Sequence, residues 1–170
     1  MADIDEAPNI LLDELRWVHT LLRHDLATCL QLGADVAQGA SADEVRTRIG
    51  EMQTTGGLFQ LRRNCLRHCR FVHAHHGHED IMLFPAVREA APTLGAVVDK
   101  LEADHRKISG LLDSLESAAR HLDGDGEPAT RQHLVDLLEE LSGDLLEHLA
   151  FEEESLAPVL RSWDRWPGFG

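Results

Sequence analysis

Four long stretches of this chain repeat apolar residues at alternating steps of three and four, the spacing that lines one face of a helix. In the first, Asn9 caps a helix beginning near Ile10. Its stripe is Leu12, Leu15, His19, Leu22, Leu26 and Cys29, and it fades between Gly33 and Gly39. The second runs from about Leu58 to Ala90, with Leu58, Leu61, Cys65, His68, Val72, His75, Glu79, Met82 and Ala86 on its stripe. Pro85 should kink it one turn before its end, because proline removes a backbone donor and its ring collides with the preceding turn. Pro92 suits the first turn of the third helix, whose stripe is Leu94, Val98, Leu101, His105, Ile108, Leu112, Leu115, Ala119 and Leu122. Pro128 opens the fourth, with Leu134, Leu137, Leu141, Leu145, His148, Glu152, Leu156 and Val159 inward.

Between the first two, Ser41-Ala42-Asp43-Glu44 has the form of a capping box and starts a short helix to about Met52. Thr54-Thr55-Gly56-Gly57 ends it, and Asp123-Gly124-Asp125-Gly126 is a loop. No alternating strand pattern competes. Long amphipathic helices with short connections predict an all-α fold, an up-down-up-down antiparallel four-helix bundle. It spans residues 10–162, between a polar arm over 1–9 and an aromatic tail over 163–170. In the tail, Trp163, Trp166 and Phe169 are placed to cap one end of the bundle.

The chain also repeats itself. His75-x-x-x-Glu79-Asp80-x-x-Leu83-x-Pro85-x-x-Arg88 matches His148-x-x-x-Glu152-Glu153-x-x-Leu156-x-Pro158-x-x-Arg161, position for position. Leu15-x-x-x-His19 likewise matches Leu101-x-x-x-His105. Helices one and two echo helices three and four, so an internal two-fold pseudo-repeat would bring two half-sites to one axis.

Composition narrows the function. With 170 residues and 43% apolar content, the chain is long enough for one domain with a real core. Its 30 acidic residues against 16 Lys plus Arg give a formal charge of -14. That excludes the electrostatic footprint of nucleic-acid binding or of attachment to anionic membranes. No apolar run reaches the ~18 residues of a membrane span, and the acidic N-terminus has no signal-peptide pattern, so a cytoplasmic protein is expected. The three cysteines, Cys29, Cys65 and Cys69, do not form a disulfide framework and read as small buried thiols. Tyrosine is absent, so no phenolate ligand or tyrosyl radical is available, while eleven histidines stand out.

Four of those histidines carry the chemistry. Each long helix has one in the middle of its apolar stripe: His19, His75, His105 and His148. Two of them are followed four residues later by a glutamate, Glu79 and Glu152. Four residues of helix turn through about 400° and rise ~6 Å, so each pair shares one face. Six inward ionisable groups with no cation on the stripes need a partner, and metal ions suit imidazole and carboxylate together. Four nitrogens and two carboxylates exceed one tetrahedral zinc and fit two ions, with Glu79 and Glu152 bridging and the histidines terminal. His76 adjoins the inward face as an additional candidate ligand or an outer partner. His68 reads as a hydrogen-bonded structural histidine. His73 and His78 project elsewhere, and His24, His121 and His133 belong to the surface.

These motifs resemble the hemerythrin-like, or HHE cation-binding, family over roughly residues 10–162. The resemblance implies a four-helix bundle with a non-haem di-iron centre, oxo- or hydroxo-bridged, in preference to zinc or manganese. It also implies binding of, or reaction with, O2, NO or peroxide. Two departures accompany it. Oxygen carriers of the family place a further histidine one turn before the one on the third helix, where this chain has Leu101. Carriers also place the second bridging acid five residues after the fourth-helix histidine, which is Glu153 here, whereas the internal repeat favours Glu152. Three functions stay open at this level. One is a binding protein for a small diatomic ligand. Another is an enzyme that disproportionates peroxide or carries out an O2-dependent oxidation. The third is a non-redox metal-binding or interaction module whose protein partner the sequence does not name.

Overall fold

The computed structural model describes residues 9–38, 57–122 and 128–168, and these are helical apart from short turns and an irregular tail over 162–168. The expected short helix before Met52, the loop at 123–126, the polar arm before Asn9 and Phe169 lie outside the described residues. Helix α1 (Ile10–Ala37) begins at Asn9, whose side chain accepts the Leu12 backbone N–H at 2.9 Å. The same side chain donates to the carbonyl of Leu160 at 3.3 Å, tying the start of the chain to its far end. Helix α2 spans Gly57–His78, passes through a wide π-helical turn at Glu79–Leu83, and continues as α3 (Phe84–Ala90). A 3-10 turn at Pro92–Leu94 leads into α4 (Gly95–Arg120), and α5 covers Pro128–Arg161. Helix α1 packs against α2 and α5, and α4 packs against the same two. No helix among the described residues is long and apolar enough to cross a membrane.

The π turn changes the inward register. The even three-four stripe predicts Met82 and Ala86 in the core. Instead Leu83, Phe84 and Val87 are buried, and Met82 and Ala86 are half-buried. The Phe84 N–H bonds to the carbonyl of Glu79, five residues back, so the turn holds one residue more than an α turn. Pro85 loosens this turn, since it cannot donate to the ladder and its ring crowds the turn before it, and the burial of Leu83 and Phe84 in the core selects the wide form. The expected kink is thus absorbed as a wide turn beginning at Glu79. In α5 the matching Pro158 lies within a regular α-helix. A smaller shift occurs at Leu137, which is half-buried while Leu138 takes the core position. Both are apolar, and periodicity does not choose between neighbours. Leu94 is likewise half-buried, and Pro92 opens the 3-10 turn instead of the helix proper.

The core is divided in two. One apolar cluster contains Leu22, Leu26, Leu61, Val72, Ile108, Leu112, Leu141 and Leu145. The other contains Leu12, Leu15, Leu83, Phe84, Val98, Leu101 and Leu156, with Trp163 and Trp166 of the tail packed on it. Each long helix passes from one cluster to the other across its polar stripe residues: His19 in α1, His75 to Glu79 after Val72, His105 in α4, and His148 to Glu152 in α5. A layer of ionisable groups is thereby sealed between two apolar plugs.

Candidate metal centre

Helical spacing delivers these groups and tertiary packing closes them together. His19, His76, Glu79, His105, His148 and Glu152 are all buried, and His75 is nearly so, with 11% of its side chain exposed. Two imidazole pairs meet nitrogen to nitrogen. His19 Nε2 lies 3.1 Å from His75 Nε2, and His105 Nε2 lies 3.0 Å from His148 Nε2. Glu79 stands between the pairs. Its Oε1 is 2.8 Å from His75 Nε2, and its Oε2 is 3.3 Å from His105 Nε2. Glu152 Oε2 lies 3.7 Å from His19 Nε2 and 3.5 Å from His148 Nε2.

His76, a side candidate in the sequence, comes inside. Its ring stacks on His105 with centroids 3.8 Å apart, and it meets His148 edge-on at 5.0 Å. The donors fall into two groups whose ligand atoms lie within 4.8 Å of one another: His76, Glu79, His105 and His148, and His19, His75 and Glu79. Glu79 belongs to both, and Glu152 to neither. A third such group, His73, Asp113 and Glu116, is on the surface between α2 and α4, where His73 and Asp113 approach to 3.3 Å.

Three more carboxylates hold the far sides of the rings. Glu153 Oε1 lies 2.8 Å from His19 Nδ1 and 2.8 Å from the Arg23 guanidinium. Asp80 Oδ1 lies 2.7 Å from His105 Nδ1. Asp104 Oδ2 is 3.4 Å from His148 Nδ1 and 2.7 Å from Lys100 Nζ. A carboxylate on Nδ1 fixes that nitrogen as the donor and turns the Nε2 lone pair inward. Glu153, weighed from the sequence as an alternative bridging acid, thus faces the outer nitrogen of His19. Helical spacing alone does not single out Asp80 and Asp104. Asp80 follows Glu79 as Glu153 follows Glu152, and Asp104 precedes His105, but neither position indicates which ring on another helix it holds.

Charge in this layer is strained. Burial alone would raise the Glu79 carboxyl, but the His105, His19 and His75 imidazoles around it hold it well below the usual range. Glu152 goes the other way, pushed well above that range by burial and then by the neighbouring Glu79 charge. Burial, then the charge of His105, lowers His148 to about 4 and His76 to about 2, so both are neutral near pH 7. His19 is raised against its burial by Glu153 and Glu79.

These residues fit metal cations. Both oxygens of Glu79, both oxygens of Glu152 and Nε2 of His76 are buried with no hydrogen bond of proper geometry. Leaving one buried polar atom unsatisfied costs about 1–3 kcal/mol, and more when it is charged. A cation would accept all of these lone pairs and displace the Glu152 proton. The remaining sequence expectations divide. His24, His121 and His133 are exposed, and the three cysteines are free and buried. His68 is fully buried, but neither ring nitrogen has a hydrogen bond, contrary to the expected hydrogen-bonded role. Leu101 sits in the second apolar cluster, one turn from His105.

The Hemerythrin HHE cation binding domain family matches the chain over residues 10–160. No curated protein and no solved structure matches it.

Proposed function

This chain belongs to the hemerythrin HHE cation-binding family, and from that premise we propose that it holds two iron ions, oxo- or hydroxo-bridged, that bind or react with O2, NO or peroxide. In this reading His19 and His75 serve one ion, and His105, His148 and His76 serve the other. Glu79 and Glu152 are shared. The observation that carries it is Glu79, a buried carboxylate whose two oxygens face different histidine pairs. His76 takes up the coordination that a third-helix histidine supplies in carriers of the family, since Leu101 cannot. Iron is preferred over zinc or manganese because of the family.

Iron held by these residues would supply redox capacity. The chain does the rest. Glu153, Asp80 and Asp104 orient their imidazoles, and the apolar clusters on either side keep bulk water from the layer. Two-fold pseudo-symmetry and an up-down-up-down path belong to the same reading. Supporting them, α1 and α4 leave the cluster around Leu12 and Leu101 for the one around Leu22 and Leu112, and the α2–α3 arm and α5 run the reverse course. The contacts pair likewise: His19 with His75 and Glu153, His105 with His148 and Asp80.

A second reading, an enzyme that consumes peroxide or oxidises a substrate with O2, is favoured by the apolar cavity beside His75 and Glu79. The test is metal content per chain after anaerobic loading with ferrous iron, with optical spectra before and after O2. About two irons per chain and near-ultraviolet oxo-bridge bands are expected. Reversible change on O2 cycling selects binding, and gas evolution on adding peroxide selects the enzyme. A single zinc, or no metal uptake, overturns the di-iron reading.

A further inference from the structure

A cavity of about 290 Å3 lies against one side of the ionisable layer, between α1, the π turn and the C-terminal tail. Leu15 and Val18 of α1 and Met82 and Leu83 of the π turn form its walls. Trp166 and Pro167 of the tail also line it. Trp166 is held there by its indole N–H, which donates to the Glu14 carboxylate. Four ionisable residues border the same space: His75 and Glu79, members of the candidate metal centre, and Glu14 and His78 beside them. His75 is the least buried histidine of the centre, and this is the cavity it lines.

A diatomic gas needs far less room. An apolar cavity of ~150 Å3 is enough to hold benzene, and this one is about twice that. Although four ionisable side chains border it, most of the surface exposed to the cavity is apolar, which selects against charged or sugar-like molecules. A second cavity touching the centre has the opposite character: about 150 Å3, bordered by Lys100, Asp104, Lys107, Asp144 and His148. Apolar matter is thus directed to the α1 side of the centre and polar matter to the α4–α5 side.

We propose that the cavity between α1, the π turn and Trp166 binds a neutral, apolar organic molecule of one or two rings in size, seated against His75 and Glu79. Trp166, latched to Glu14, covers it. The placement beside a metal rests on the metal-centre reading; the binding itself does not.

Toluene is the probe, followed by ligand-detected NMR on the full chain loaded with zinc and, separately, with manganese(II). Toluene should bind both forms, and its signals should broaden in the manganese form through the unpaired electrons of a nearby ion. Val18→Phe, which fills the cavity, should weaken binding about tenfold or more, equivalent to ~1.4 kcal/mol. Trp166→Ala, at a half-buried residue on the edge of the second apolar cluster, should also weaken it, and thermal melts of both variants show that each is folded. No toluene binding, binding indifferent to both variants, or binding without manganese broadening in a metal-loaded chain each overturns the proposal. Metal content measured on the same samples separates the two readings. Failure to take up metal sinks the metal-centre reading, while the two variants still decide the cavity.

Discussion

Glu79 shows what a single side chain does here. It is buried, bordered by three imidazoles, and shared by two groups of potential ligands. Removing one inward donor should therefore cost metal directly. His75→Ala is expected to lose at least one metal ion per chain and to lower the melting temperature of the loaded protein, whereas His24→Ala, on the surface, should do neither. Metal analysis and thermal melts check both. The outer carboxylates predict a different outcome. Glu153→Gln or Asp80→Asn leaves every inward donor in place but loosens His19 or His105. Metal affinity should fall by about 10–100-fold with the saturating stoichiometry unchanged. A competition titration against a chelator distinguishes this from loss of a site.

His68 makes a separate prediction at the same scale. Burial lowers it to about 4, against an ordinary value of 6.5. A histidine depressed in the folded state takes up its proton more readily when unfolded. Stability is then full above about pH 6.5 and falls as the pH drops toward 4. The loss across that window is about 3.5 kcal/mol at most, from 2.5 pH units at ~1.4 kcal/mol each. His68→Leu should remove that part of the pH dependence. Urea unfolding of both proteins near pH 7 and near pH 4 should show the variant losing less stability on acidification. Equal losses would show that His68 finds a partner when protonated.

At the scale of the element, the π turn is the decisive feature. An uninterrupted α-helix would carry Met82 and Ala86 inward. The extra residue in the turn brings Leu83, Phe84 and Val87 there instead, and Phe84 stacks on the His105 ring at 5.0 Å. Mutational cost should follow the observed register. Phe84→Ala should destabilise by about 3–5 kcal/mol, and Met82→Ala by about 1 kcal/mol or less. Denaturant melts of the metal-free variants measure both. A larger cost at Met82 would place the even stripe, not the wide turn, in the folded protein.

For the whole molecule, the ionisable layer sets a conflict that bound cations would relieve. The chain carries a formal charge of -14 and buries two carboxylates next to each other, one of which is driven to hold its proton. A metal ion held by these residues would take the place of that proton and satisfy the orphaned oxygens. Ligand linkage then adds about 2.7 kcal/mol per ion at a free concentration 100 times the dissociation constant. Stripping the metal with a chelator should lower the melting temperature, and raised ionic strength should recover part of the loss by screening the surface charge. If chelation left the melting curve unchanged in a chain shown to have held metal, the layer would be stable through its own contacts.

The sequence by itself determined a large part of this protein. Residues at steps of three and four specify which face of each helix is buried, because helical geometry is local. His19, His75, Glu79, His105, His148 and Glu152 could be read as inward for that reason alone. The doubled His-x-x-x-Glu motif also carried the family. Tertiary structure decided what periodicity leaves degenerate. His76 sits one residue, about 100° of helical turn, from His75. Only the approach of α4 and α5 decides that it faces His105 and His148 rather than solvent. Glu153 and Glu152 differ by the same angle, and the position of α1 puts Glu153 on the outer nitrogen of His19. Asp80 and Asp104 gain their roles from rings on other helices, and no spacing within one helix encodes such a partner. Pro85 announced a disturbance, but whether the helix would bend or widen depended on the packing of Leu83 and Phe84 against the core. The cavity beneath Trp166 is likewise invisible in the chain, because its walls come from residues about 150 positions apart that meet only in the folded protein.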